Sequence, residues 1–261
     1  HFAAIVGVEE TIGNPLGTTQ NIIGTLNVAN ALTGDHVAMF GSSADVYGAH
    51  SHHYGGQAMR EDHLFVYEHA AVNRWVYPHV KALEENVIVN SAARRSVVIR
   101  FFNTYGPDMD YPAAKRVIPH FVGSILERRP IRLSKDGSQV RTFCYIDDTV
   151  AGLLLALEHL EGWHGANTAC FNLGGDRPIT IRDLASLMLE LAIAENLLDA
   201  KLPVEMNAFD YSQPFDDSWD RVPDMRRARE LLGFAAQVGL EDGLRKTLRH
   251  HWTRRFTGHS A

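Results

Sequence analysis

The sequence predicts an α/β protein built on a parallel sheet with helical crossovers. Three observations carry that reading. Short apolar runs alternate along the chain with segments of helical periodicity. The clearest run, residues 96–102 (SVVIRFF), is β-branched and aromatic, as a strand requires. A chain of 261 residues, 45% apolar and 21% charged, is an ordinary globular composition long enough for one or two domains.

The opening run HFAAIVGV reads as the end of a buried strand. Residues 36–42 (HVAMFGS) form a second apolar run that ends in small residues. Residues 49–61 are polar and rich in glycine and histidine, which predicts a surface loop. From about residue 75 to 93, Val80, Leu83, Val87 and Ile88 recur at helical spacing. Pro78 is tolerated only in a first turn, so that helix starts near Tyr77. After the strand at 96–102, Tyr105-Gly106-Pro107 breaks the chain. Residues 117–128 then read as helix, 131–133 as a short strand, 148–159 as helix, and 170–173 as a strand running into Gly174-Gly175. Thr180 is placed as an N-cap, with Asp183 following, ahead of a helix carrying Leu184, Leu187 and Leu191. Helices near 225–232 and 240–252 close the sequence.

Composition narrows the function classes. A net charge of −6 gives no general reason to expect nucleic-acid binding. No apolar run approaches the roughly 20 residues that span a bilayer, and no signal peptide is visible. The two cysteines, Cys144 and Cys170, form no metal-ligand pair by spacing and suit a reducing compartment, so a cytoplasmic location is expected. His50, His52 and His53 match no standard zinc spacing and are expected to lie in a polar loop. The chain starts at His1 inside an apolar run, without an initiator methionine, which suggests a fragment.

Tyr77 and Lys81 carry the chemistry. A free tyrosine has a pKa of about 10 and is a poor base at neutral pH. An ammonium within a few ångströms favours the phenolate, and four-residue spacing on a helix puts Lys81 on the same face as Tyr77. Ser43, at a strand end, is placed to hydrogen-bond both the phenol and a substrate hydroxyl. Tyr67 is a rival tyrosine, but Ala71 stands where its lysine would be, and it is assigned to a loop. Asp45 is a single carboxylate next to this group. Its alternative is a strand-end residue bonding local backbone.

Several ordered motifs then become recognisable: Asn21-x-x-Gly24-Thr25, Ser42-Ser43-Ala44-Asp45-Val46-Tyr47-Gly48, Tyr77 with Lys81, and Arg100-Phe101-Phe102-Asn103-Thr104-Tyr105-Gly106-Pro107. Residues 136–143 (DGSQVRTF) lead into Tyr145-Ile146-Asp147-Asp148, and Phe171-Asn172-Leu173-Gly174 follows. Together they resemble the extended short-chain dehydrogenase/reductase family that modifies nucleotide sugars. RWVYPHVKAL and Arg221-Val222-Pro223-Asp224 look most like the UDP-glucuronic acid decarboxylases. The departure is the family's glycine-rich pyrophosphate loop, Gly-x-x-Gly-x-x-Gly. Gly13, Gly17 and Gly24 have the wrong spacing for it, and the portion that would carry it is on the order of 60 residues.

The resemblance implies a truncated Rossmann-type parallel sheet with a smaller C-terminal α/β substrate domain. Residues 1–107 would belong to the NAD-binding part, rejoined by about 140–175. Residues 108–139 and 176–261 would form the substrate domain. It implies NAD as cofactor, contacted by Ala3, Ala4, Asn21, Ser42, Tyr77, Lys81 and Phe102. It implies catalysis by Tyr77, Lys81, Ser43 and Asp45, starting with oxidation at C4 of a nucleotide hexose or hexuronic acid. Asn103, Arg116, Arg141 and Arg221 would hold the substrate, the arginines gripping the diphosphate. Asp147 and Asp148 look structural, as cap and turn residues. Where decarboxylases of this type carry Ser-Glu and 4,6-dehydratases Asp-Glu, this chain has Ala44-Asp45. One carboxylate supports paired acid/base elimination poorly, while epimerisation, dehydration and decarboxylation all stay open. A homodimer is expected, with no nucleic-acid or membrane partner. The rival classes are a non-catalytic dinucleotide-binding sensor or scaffold and an inactive fragment.

Overall fold

Three strands pair in parallel in the order β1 (Val37–Ser43), β2 (Arg95–Phe101), β3 (Thr168–Leu173). The register sets Ser43 opposite Phe101 and Phe101 opposite Leu173, so all three strands end at one edge of the sheet. The computed structural model describes residues 1–69, 73–110, 115–162, 168–208 and 220–257. His1 extends the sheet beyond β1: its backbone nitrogen donates to the Met39 carbonyl at 2.7 Å, and Gly41 N donates to the His1 carbonyl at 3.0 Å.

Alternation along β2 decides which helices cover which face. Val98 points with Phe40 and Ala38 toward α1 (Gln20–Ala31) and α2 (Val76–Val89) and packs with Ile88. Val97 and Ile99 point the other way, onto a cluster with Ala156, Leu160, Ala228 and Leu232. A separate apolar cluster joins α3 (Val117–Leu126), α5 (Ile181–Ala194) and α7 (Leu240–Thr257) through Phe121, Ile125, Leu184, Met188, Leu244 and Leu248. Between these bodies lie α4 (Ile146–Gly162) and α6 (Arg226–Leu232), both against the sheet. Thr180 caps α5 as expected, accepting from Asp183 N at 3.0 Å. Of the segments assigned from sequence to the substrate domain, 111–114, 209–219 and 258–261 lie outside the described residues, as do 163–167 of the segment that rejoins the sheet.

Three expectations change. The run HFAAIVGV is not a buried strand: Phe2, Ile5 and Val6 are exposed, and after His1 the chain turns away to be held by Asn21. Residues 49–61 are not simply a surface loop, because Ala49, His50 and Met59 are buried and His50–His53 forms a helical turn. Ring stacking of His50 on Tyr54 and His63 draws that segment inward. Met59 N donating to the Val222 carbonyl, and Asp224 N to the Met59 carbonyl, lash it to the extended segment 222–224. Asp148 is structural through a long-range contact, its carboxylate accepting from Gln237 N at 3.0 Å and Val238 N at 2.9 Å. Tyr67 lies in a loop as expected, with its hydroxyl donating to the Val46 carbonyl at 2.6 Å.

Candidate active site

The strand ends and the start of α2 meet at a cleft of about 600 Å³ lined by Ser43, Asp45, Tyr77, Asn103, Arg116, Arg141 and Arg221. With Ser42, eight of the sequence-predicted site residues therefore share one space. Tyr77 sits in the first turn of α2, where Pro78 costs no helical hydrogen bond. The tyrosine is half-buried: its body is enclosed, and its remaining surface faces the cleft. The Ser43 hydroxyl beside it favours the phenolate.

Ser43 also organises the turn that follows β1. Its Oγ accepts from Asp45 N at 3.1 Å and donates to Asp45 Oδ2 at 3.2 Å. The other Asp45 oxygen meets Arg221 Nη1 at 2.9 Å. Arg221 is anchored in turn by its backbone, which donates to the Val140 carbonyl at 3.0 Å beside Arg141. Arg141 is buried and donates through Nη1 to that same carbonyl. Arg116, at the N-terminus of α3, meets Asp110 at 3.0 Å. Asn103 holds a left-handed backbone, φ 39°, and its amide donates to the Thr142 carbonyl at 2.9 Å.

Electrostatics depart from the expectation for Tyr77. Burial pushes its pKa well up, and the Asp45 charge pushes the same way; the Ser43 hydrogen bond opposes them, Glu84 raises the pKa further and Arg116 lowers it. The Lys81 ammonium was expected to hold the phenol down. Instead it lies beneath the site, only 3% exposed, donating to the Gly41 carbonyl at 3.1 Å and paired with Glu84 at 3.1 Å. A cation compensated by a carboxylate three residues on has little field left for the phenol.

Of the remaining cofactor residues proposed from sequence, Ala3, Ala4, Asn21 and Phe102 stand apart from the cleft wall. Ala3 is exposed and Ala4 half-buried on the segment after His1. Asn21 grips the Ile5 backbone in both directions, accepting from its N–H at 2.7 Å and donating to its carbonyl at 3.0 Å. Ser42 lines the cleft, but its hydroxyl donates to Glu85 at 2.5 Å. Phe102 is fully buried against Tyr47.

Sequence reasoning missed the buried network behind these residues. Arg100 forks onto Glu85, Nε to Oε1 at 3.0 Å and Nη2 to Oε2 at 2.8 Å, and reaches the Tyr47 hydroxyl at 3.0 Å. That hydroxyl donates to Asn172 Oδ1 at 2.7 Å. The visible signal was the Glu84-Glu85 pair at helical spacing from Lys81, two carboxylates on a helix flanked by apolar positions. Among the described residues, no group of three or more His, Cys, Asp and Glu side chains gathers to hold a metal ion.

Residues 1–174 match the model of the NAD dependent epimerase/dehydratase family. The chain belongs to that family. For this member of the family the cofactor is NAD, and the parallel sheet is of the Rossmann type. UDP-N-acetyl-alpha-D-glucosaminuronate decarboxylase of Bacillus cytotoxicus is 28% identical over 252 residues, covering 95% of this chain and 74% of that protein. UDP-D-apiose/UDP-D-xylose synthase 2 of Arabidopsis thaliana is 32% identical over 196 residues, 69% of this chain and 49% of that protein. The chain thus spans between about half and three quarters of the length of these two relatives. In fold it resembles UDP-glucose 4-epimerase of Thermus thermophilus in complex with NAD, with a TM-score of 0.76 at 23% identity over 99% of this chain and 76% of that one.

Proposed function

We propose that the chain forms the proton-transfer and sugar-nucleotide-binding part of an enzyme that oxidises C4 of a UDP-hexuronic acid and releases carbon dioxide from the 4-keto product. The observation that carries this reading is the placement of Ser43 and Tyr77 on the wall of the same cleft as Arg116, Arg141 and Arg221. One end of the cleft can hold and move a hydroxyl proton. The other presents guanidinium groups suited to a diphosphate.

Tyr77 would take the proton of the sugar 4-hydroxyl, with Ser43 donating to the same oxygen. Bound NAD+ would supply the oxidant for C4, accepting its hydride. Tyr77 and Ser43, on the cleft wall, would hold the nicotinamide-ribose end of a dinucleotide, with the Lys81 ammonium enclosed behind them. Among the described residues, no glycine-rich turn opens a helix of the kind that seats a pyrophosphate.

Decarboxylation is favoured over dehydration by the state of Asp45. Its carboxylate is engaged by Arg221 and by Ser43, and no second carboxylate stands in the 44 position. A β-keto acid needs no paired acid and base to lose carbon dioxide, because the C4 ketone receives the electrons as the C5–C6 bond breaks. The likeness to a uronate decarboxylase supports the same outcome.

Residues 1–107, rejoined by about 140–175, would form the cofactor body, and 108–139 with 176–261 the substrate body. The separate apolar clusters support this division. Exposed Ile23 and Leu26 on α1, with Leu83 and Val89 on α2, offer apolar surface for a homodimer. Two free thiols, Cys144 and Cys170, suit a reducing compartment such as the cytoplasm.

The test is product analysis on the full-length enzyme with UDP-glucuronate and NAD. Carbon dioxide and a UDP-pentose or 4-keto pentose are expected. An epimer without carbon dioxide moves the assignment to epimerisation. Neither gas from UDP-glucuronate nor a 4-keto sugar from any UDP- or dTDP-hexose removes the reading altogether.

A further inference from the structure

Tyr77, Lys81 and Glu84 follow one another at four- and three-residue spacing, so they lie along one face of α2. Toward the sheet that face is fully enclosed: Lys81 is 3% exposed and Glu84 0%. The ammonium has three donors to place. One goes to the Gly41 carbonyl at 3.1 Å, and another meets Glu84 Oε2 at 3.1 Å. Its nitrogen also lies 4.7 Å from the centroid of the Phe40 ring.

Glu84 is held from its other side as well. Thr25 Oγ1, on α1, donates to Glu84 Oε1 at 2.5 Å, and the His1 ring nitrogen Nε2 lies 3.0 Å from that hydroxyl. The polarity of the chain is consistent throughout: the imidazole donates to the hydroxyl, the hydroxyl donates to the carboxylate, and the ammonium forms an ion pair with the carboxylate's other oxygen. Glu84 is therefore fixed from α1 and fixes Lys81 in turn. A buried ammonium is costly without a counter-ion, and here burial lowers the Lys81 pKa while Glu84 and Glu85 raise it.

We propose that Glu84 is a positioning residue that anchors the Lys81 ammonium on the sheet side of α2 and thereby sets how readily Tyr77 releases its proton. The inference rests on the reading of Tyr77 as the proton carrier. Other charges face the same group and are accounted for. Asp45, from the turn after β1, and Arg116, from the N-terminus of α3, act on Tyr77 in opposite directions. Glu85 is committed to Arg100 of β2 and Ser42 of β1. Glu84 alone pairs directly with Lys81 while also raising Tyr77, so removing its charge lowers the affinity of Tyr77 for its proton, and Glu85 remains to favour the charged lysine.

The test uses the full-length enzyme with NAD bound and tyrosine labelled with carbon-13 at Cζ. The Tyr77 resonance is identified by its loss in Tyr77→Phe. In Glu84→Gln the Tyr77 titration moves to lower pH by about one unit or more, and the acid limb of the kcat profile moves with it. Glu84→Asp keeps the charge one methylene back and moves both by less. A Tyr77 titration that stays or rises in Glu84→Gln overturns the inference. If that variant does not fold, Glu84→Asp decides, and an unmoved titration there is equally fatal. A shifted titration with no turnover of any nucleotide sugar supports the inference and removes the proposed activity. Normal turnover with an unmoved titration does the reverse.

Discussion

A phenol acts as a base only if something stabilises its anion, and at Tyr77 the resident protein does the opposite. Burial and Asp45 raise its pKa, while Ser43 and Arg116 lower it. The resting tyrosine is thus protonated, and it takes the sugar proton only after losing its own, beside the Ser43 hydroxyl on the same cleft wall. Tyr77→Phe removes that oxygen and leaves the ring packing in place. Turnover to a 4-keto sugar falls by about 10²–10⁴-fold with little change in melting temperature; comparing kcat with the melt separates the two effects. Tyr77 and Ser43 were legible as candidates because they sit at an element start and a strand end, where spacing predicts position. The partner of Lys81 was not. Glu84 is visible in sequence, but its fixation depends on Thr25, which folding brings in from 59 positions away. Local spacing placed Lys81 on the right face of the helix without revealing which charge it would meet.

At the scale of an element, the segment from Ala49 to Phe65 shows how composition misleads. Polar, glycine-rich sequence predicts exposure, yet His50 is fully buried, its ring clustered with those of Tyr54 and His63. Its Nε2 lies 2.6 Å from His63 Nδ1, so one proton serves both rings. Its Nδ1 has no hydrogen-bond partner among the described residues. Desolvation, then the neighbouring His63 and His53 charges, lower the His50 pKa to about 4. The sign follows from linkage: the unfolded chain takes up a proton near the ordinary histidine value, which the folded chain refuses. His50 therefore contributes stability that is present above about pH 6.5 and is lost as pH falls toward its folded value. Between about pH 7.5 and about pH 5 the loss is about 2 kcal/mol. His50→Phe keeps a stacking ring without the titration, so urea midpoints should fall with pH more steeply in the wild type than in the variant. Equal slopes would assign the acid sensitivity to other groups. Because Met59 and Asp224 fasten this segment to the stretch carrying Arg221, its loosening reaches the cleft.

Across the whole molecule, the site exists because two differently built bodies meet. Strand ends of the sheet and the start of α2 supply Ser43, Asp45 and Tyr77. Arg116 and Arg141 come from elements packed on the cluster around Phe121 and Leu184. The sheet and its covering helices were readable from periodicity, since burial on both faces demands apolar runs. The closure of the cleft was not, because it depends on Arg221 reaching from the segment 221–223 to Asp45. In that place the guanidinium does two things at once: it neutralises the carboxylate next to Tyr77 and forms part of the cleft wall. The two roles predict different failures. Arg221→Lys keeps the charge but loses the fork, so it should raise KM for the UDP-sugar by roughly 10- to 100-fold and leave the acid limb of kcat nearly in place. Arg221→Ala removes both, and the uncompensated Asp45 charge then raises the Tyr77 pKa further, so the acid limb moves to higher pH as KM rises. Steady-state kinetics of the two variants across pH distinguish these outcomes. If Arg221→Ala changes KM alone, Arg221 grips the nucleotide without tuning the tyrosine. If neither constant changes, the cleft binds its substrate elsewhere than at this arginine.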